Sequence, residues 1–171
     1  MQGFVQVYTG EGKGKTTAAI GLALRAAGAG MNVFIGQFVK SERYSELVAL
    51  ERFSERITCR QYGRGCRLDR NASGLDSRMA EIGLEEVRWV TAEGRYRVVI
   101  LDEINIALSF NLLKVADLLE LIEIKPAQVE LVFTGRYAPP QLIERADLCT
   151  EMREVKHYYQ NGVLARKGIE C

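Results

Sequence analysis

Residues 9–17 read Thr-Gly-Glu-Gly-Lys-Gly-Lys-Thr-Thr, and the chemistry these types share is the holding of phosphate. Glycines let successive backbone N–H groups converge on anionic oxygens. A following helix start adds positive potential, Lys15 supplies a fixed charge, and the Thr16 hydroxyl can reach Mg²⁺. The segment Phe4-Val5-Gln6-Val7-Tyr8 upstream has the character of a strand, and the apolar run after Thr17 that of a helix. The loop therefore stands in the strand–loop–helix context that a Walker A sequence requires. A glycine-rich turn with solvated lysines would account for the glycines, but not for a Lys-Thr pair opening an apolar helix. The spacing departs from the ordinary signature: Gly10 and Gly14 enclose three residues where four are expected, and Thr9 stands at the first glycine position. A shorter loop should hold a triphosphate differently from a kinase, which points away from ordinary γ-phosphoryl transfer.

Two further stretches can contribute chemistry. In Ile100-Leu101-Asp102-Glu103-Ile104-Asn105 an apolar strand ends in two acids, as a strand does that presents carboxylate to Mg²⁺ or to its waters. The alternative is a strand end followed by an acidic helix start. In Val132-Phe133-Thr134-Gly135-Arg136-Tyr137-Ala138-Pro139-Pro140 a polar turn and an arginine again follow a strand, on the edge where open α/β sheets bind ligands. Arg136 is a candidate phosphate contact there, or else a solvated arginine ahead of a proline-initiated helix.

Such loops need a sheet to align them. Short β-rich runs at 4–8, 32–38, 56–61, 97–101, 129–134 and 149–154 alternate with helical patterns, which predicts an α/β fold with a mostly parallel sheet covered on both faces. The Val98-Val99-Ile100-Leu101 run, apolar on both sides, reads as a central strand. Residues 15–28 form a nearly all-apolar helix. Val115, Leu118, Leu119 and Ile122 mark the buried stripe of another that stops before Pro126, and Leu75, Met79, Ile82, Trp89 and Val90 sketch a third.

At 171 residues and 47% hydrophobic content, the chain is expected to form one domain over 1–171 with a continuous core. A net charge of +1 gives no basic field for nucleic acid. Cys59, Cys66, Cys149 and Cys171 form no C-x-x-C pair and there is one histidine, so neither a zinc site nor a disulfide framework is legible and a reducing cytoplasm is expected. No run is long and apolar enough to span a membrane, and no charged leader precedes Phe4.

The segments TGEGKGKTTAAIGLALRA, QFVK, LDEIN, TGRYAPP, ADLCTEM and VKHYYQNGVLARKGIEC together resemble the ATP:corrinoid adenosyltransferases of cobalamin synthesis and salvage. The resemblance runs from Val7 to Cys171. It implies a P-loop, RecA-like nucleotide-binding fold, usually homodimeric, with ATP lying reversed in the loop. It further implies that a reduced corrinoid, cobalamin or cobyrinic acid a,c-diamide, attacks the ribose 5′ carbon and releases triphosphate, an electron-donating reductase supplying the reduced cobalt. Carried over onto this chain, Gly10, Glu11, Gly12, Lys13, Gly14, Lys15, Thr16 and Thr17 cradle the triphosphate, and Arg25 and Arg136 are further nucleotide contacts. Thr16 and Glu103 serve Mg²⁺ or Mn²⁺ with support from Asp102. Lys15, Thr16 and Glu103 carry the catalysis. His157 matches the KH ending and is expected to be structural or a subunit contact. The stretch Gln61-Tyr62-Gly63-Arg64-Gly65-Cys66-Arg67 is either a basic surface loop or a contact to corrinoid or nucleotide. A small-molecule kinase and a non-catalytic ATP-binding regulator remain as alternatives that keep the same fold.

Overall fold

The computed structural model describes residues 1–42, 44–64 and 73–170. Gly65, Cys66, Arg67 and Cys171, singled out above, lie outside the described residues. Six strands form one sheet: β1 (Val5–Thr9), β2 (Val33–Phe38), β3 (Ile57–Tyr62), β4 (Val98–Asp102), β5 (Glu130–Thr134) and β6 (Leu148–Glu151). The first five lie within one residue of the expected bounds. The spatial order is β3-β2-β4-β5-β1-β6, and every neighbouring pair is parallel, as crossover helices demand.

Side chains alternate across the pleat. Val33, Ile35, Val98 and Ile100 point into one core with Ala19, Ala23 and Ala26 of α1 (Lys15–Gly28). On the same side, α2 (Ser45–Leu50) adds Leu50. Phe34, Phe38, Val99 and Leu101 point into the opposite core, closed by α3 (Gly74–Glu93), α4 (Ile104–Ser109), α5 (Val115–Ile124) and α6 (Pro140–Arg145). Among the described residues no helix is long and apolar enough to cross a membrane.

Helix α1 begins and ends where the sequence places it. In α5 the fully buried residues are Leu118 and Leu121. The stripe expected for α3 holds at Val90, with Met79 half-buried, but not at Leu75, Ile82 and Trp89, which are exposed, Trp89 at 62%; the inner face is Ala80, Gly83, Leu84, Val87, Val90 and Thr91. Close approach to the sheet decides the matter. A Cβ on Gly83 would lie 2.4 Å from Tyr62 Cγ, so this face needs small residues and the large apolar ones turn outward. Gly83→Ala is therefore expected to destabilise the protein by about 1–3 kcal/mol, roughly 2–10 °C in Tm, despite the ~1 kcal/mol that alanine gains in a helix. A calorimetric Tm equal to or above the parent's would contradict this packing.

Strand β6 stops at Glu151, three residues short of expectation, because the chain leaves the ladder to meet the loop after β1. Met152 N–H donates to Thr9 O, and its carbonyl accepts from Gly12 N–H at 2.7 Å.

Candidate nucleotide and metal site

All strands being parallel, the ends of β1, β2, β4 and β5 converge on one rim of the sheet, where open α/β folds bind ligands. The loop from Gly10 to Gly14 turns there, with Gly10 at φ 93 and Gly14 at φ 123, conformations that side chains with a Cβ rarely adopt. Lys15 opens α1 and folds back over the loop, its Nζ donating to Gly10 O and Gly12 O, both at 2.7 Å. It is 7% exposed, and burial lowers its pKa below that of an ordinary lysine. The glycines have a second cause that phosphate chemistry does not supply. A Cβ on Gly10 or Gly12 would lie 2.5 or 2.7 Å from Met152 O, so the loop's backbone is also pressed against the segment after β6.

Asp102 ends β4 at 1% exposure and is the centre of a polar network. Its Oδ1 accepts from Thr16 Oγ1 (2.9 Å) and Thr134 Oγ1 (2.7 Å), and its Oδ2 from Gln37 Nε2 (3.2 Å) and Lys40 Nζ (2.8 Å). Four donors satisfy a buried carboxylate. Desolvation opposes charge on Lys40, but Asp102 outweighs it and the ammonium's pKa is raised.

Glu103 follows at φ 60, a left-handed conformation costing on the order of 1–3 kcal/mol in a residue with a Cβ. Its N–H donates to Thr134 Oγ1 at 3.0 Å, which fixes the turn and sends the carboxyl into the cleft. Burial first, and the Asp102 charge second, push that carboxyl above the usual carboxylate range. Among the described residues it has no hydrogen bond or ion pair. A buried carboxylate beside a half-buried one, with a hydroxyl at hand, is an oxygen set suited to Mg²⁺ or Mn²⁺, which bind through one or two carboxylates together with substrate phosphates.

The cleft above this rim has a volume of about 920 Å³. The loop and Lys40 form one end, Arg136 and Glu103 stand beside it, and His157, Ala165, Gly168 and Ile169 of the C-terminal segment form a wall. Arg136 is held 3.5 Å from Glu11, with both side chains partly exposed. His157 caps a 3₁₀ turn, its Nδ1 accepting from Tyr159 N–H at 3.0 Å, a structural task in the cleft wall. Glu11, Lys13 and Thr17 line the cleft with Gly12, Gly14, Lys15 and Thr16, whereas Gly10 does not reach its surface. Arg25 is not brought here: it sits in the last turn of α1, ten residues and about 15 Å of helix rise beyond Lys15. Tyr62 is also removed from the cleft, buried under α3 with its hydroxyl donating to Glu86.

The sequence reading assigned no role to Lys40, Gln37 or Thr134. Their signal is a polar residue at the end of an apolar strand, and only the strand order shows that these ends meet.

A parallel six-stranded sheet, a glycine-rich loop before a Lys-Thr helix start and paired acids on a neighbouring strand define a phosphate-loop nucleotide-binding protein. The family model described as ATP:corrinoid adenosyltransferase BtuR/CobO/CobP matches residues 1–171, and the chain belongs to that family. It is 36% identical over 170 residues to a corrinoid adenosyltransferase of Pseudomonas aeruginosa, covering 99% of this chain and 84% of the relative. To one from a Sinorhizobium species it is 36% identical over 173 residues, covering 99% and 80%. The corrinoid adenosyltransferase of Escherichia coli K12 is 31% identical over 170 residues, covering 99% and 86%.

Proposed function

We propose that this adenosyltransferase grips ATP by its triphosphate in the Gly10–Thr17 loop and presents the ribose 5′ carbon to the Co(I) of a reduced corrinoid, cobalamin or cobyrinic acid a,c-diamide. The observation that carries this reading is the shortened loop, sealed by Lys15 and backed by Met152, in a chain that matches the family from end to end. The cobalt electron pair forms the Co–C bond, the bond between C5′ and the α-phosphate oxygen breaks, and its electrons leave with triphosphate. No proton need move, so no general acid is required of His157.

Lys15 and the loop N–H groups take up the leaving charge, and Arg136 stands close enough to join them once released from Glu11. Thr16 and Glu103 would hold Mg²⁺ or Mn²⁺, with Asp102 anchoring the Thr16 hydroxyl from behind. Bound there, the ion would neutralise charge developing on the triphosphate. A cytoplasmic setting fits the free thiols of Cys59 and Cys149. Co(I) calls for an electron-donating reductase as a partner. A homodimer is the proposed assembly, to be read by light scattering.

The deciding experiment supplies ATP, Mg²⁺ and chemically reduced corrinoid. Phosphorus NMR should show triphosphate, in step with the light-sensitive visible spectrum of an alkylcobalt product. ADP formed without regard to corrinoid would place the chain with kinases or simple ATPases, and binding without any product would favour a regulator.

A further inference from the structure

Strand β2 ends at Phe38 and the chain then reverses through Val39 at φ 55. A β-branched residue in that conformation is a true outlier, and such strain persists where the surroundings over-determine it. The surroundings are visible. Gly63, just past β3, packs so tightly on Val39 that a Cβ would lie 2.4 Å from the Val39 carbonyl carbon. The product of the reversal is the position of one group: Lys40 Nζ lies 2.8 Å from Asp102 Oδ2, 3.4 Å from Thr16 Oγ1 and 3.9 Å from Glu46 Oε1. An ammonium thus spans the hydroxyl and the carboxylate on which the metal site is built. Gln61 Nε2 donates to Gln37 Oε1 and Gln37 Nε2 to Asp102 Oδ2, so the carboxylate cannot swing away from the lysine without breaking a chain of amides.

We propose that Lys40 is the resident counter-cation of the metal pocket, which a divalent ion displaces only when it arrives with triphosphate. Building on the metal assignment made above, this turns the pocket into a gate. Without nucleotide, a free divalent ion meets a positive charge already paired with Asp102 and is repelled. With nucleotide, the phosphate oxygens offer the ammonium a second partner, and it moves from Asp102 to the triphosphate as the ion enters. Lys40 then becomes a positioning residue for the leaving group, and the enzyme takes up metal and ATP together.

The test is Mn²⁺ titration followed by electron paramagnetic resonance, on the wild type and on Lys40→Met, with and without ATP. Wild type should bind Mn²⁺ well only with ATP. With the competing unit charge a few ångströms away removed, Lys40→Met should bind Mn²⁺ without nucleotide at least roughly ten-fold more tightly than wild type. The same variant should hold inorganic triphosphate about ten-fold more weakly. Lys40→Gln, which can still donate to Asp102 without carrying charge, gives the same comparison if the methionine variant does not fold. Equal nucleotide-free Mn²⁺ affinity in wild type and variant, with ATP-dependent uptake intact, would overturn the gate alone. Failure of the wild type to take up Mn²⁺ even with ATP would overturn the metal assignment, and the gate with it.

Discussion

Lys15→Ala should lose measurable ATP binding while keeping the circular dichroism of the parent. The Lys15 ammonium is nearly buried, and its hydrogen bonds go to carbonyls of the loop itself; the loop is independently tied to Met152 through Gly12. Removing it therefore costs the fold little. Against ATP the loss is large, because charge-assisted contacts of about 1.5–3 kcal/mol each disappear where no other group of the loop is as buried and as positive. Two such contacts amount to roughly 3–6 kcal/mol, or about two to four decades in Kd. Isothermal titration with ATP checks this directly. Turnover unchanged at saturating ATP would remove the loop from its phosphate role.

Glu103→Gln should lower kcat by about two decades, the usual scale for losing one electrostatic contact to a developing charge. The defect should ease as Mg²⁺ or Mn²⁺ is raised. The same substitution should make the protein more stable at neutral pH. Burial and the Asp102 charge raise the carboxyl's pKa in the folded state. That group's contribution to stability is complete below its unfolded pKa and is lost as pH rises through the folded one. Above its unfolded pKa this carboxyl therefore costs the parent stability that the glutamine variant does not lose. The difference in Tm should vanish in acid. A variant that is fully active and indifferent to metal concentration would remove Glu103 from the metal site.

The loop and the acids were legible in the sequence because their chemistry is local: Gly10, Gly14, Lys15 and Thr16 act within one turn of chain. Five strands were legible to within a residue, β2, β4 and β5 because parallel strands buried on both faces are apolar on both. The network around Asp102 was hidden, since Gln37 meets Asp102 only through the register of β2 on β4, a pairing of residues far apart in the chain. Lys40 was hidden further by the positive φ of Val39, which no rule of residue preference would place there. The inner face of α3 was misread for the opposite reason: hydrophobic size suggested Leu75, Ile82 and Trp89, whereas the distance to Tyr62 selects Gly83 and Ala80. The six-residue helices α2, α4 and α6 are too short to show a period.

Strand β1 carries the phosphate loop, yet its sheet partners are β5 and β6, more than a hundred residues downstream. A nascent chain emerges with its first strand unpaired, and β2, β3 and β4 can assemble among themselves long before β5 is made. Strand β1 thus finds its place only after β5 is made, and the wide separation of partners makes that closing step slow. Because Met152 must also reach Thr9 and Gly12, the loop gains its backing only once the segment after β6 has been made. A product that stops before β6, however well its central strands associate, lacks the segment that backs the phosphate loop.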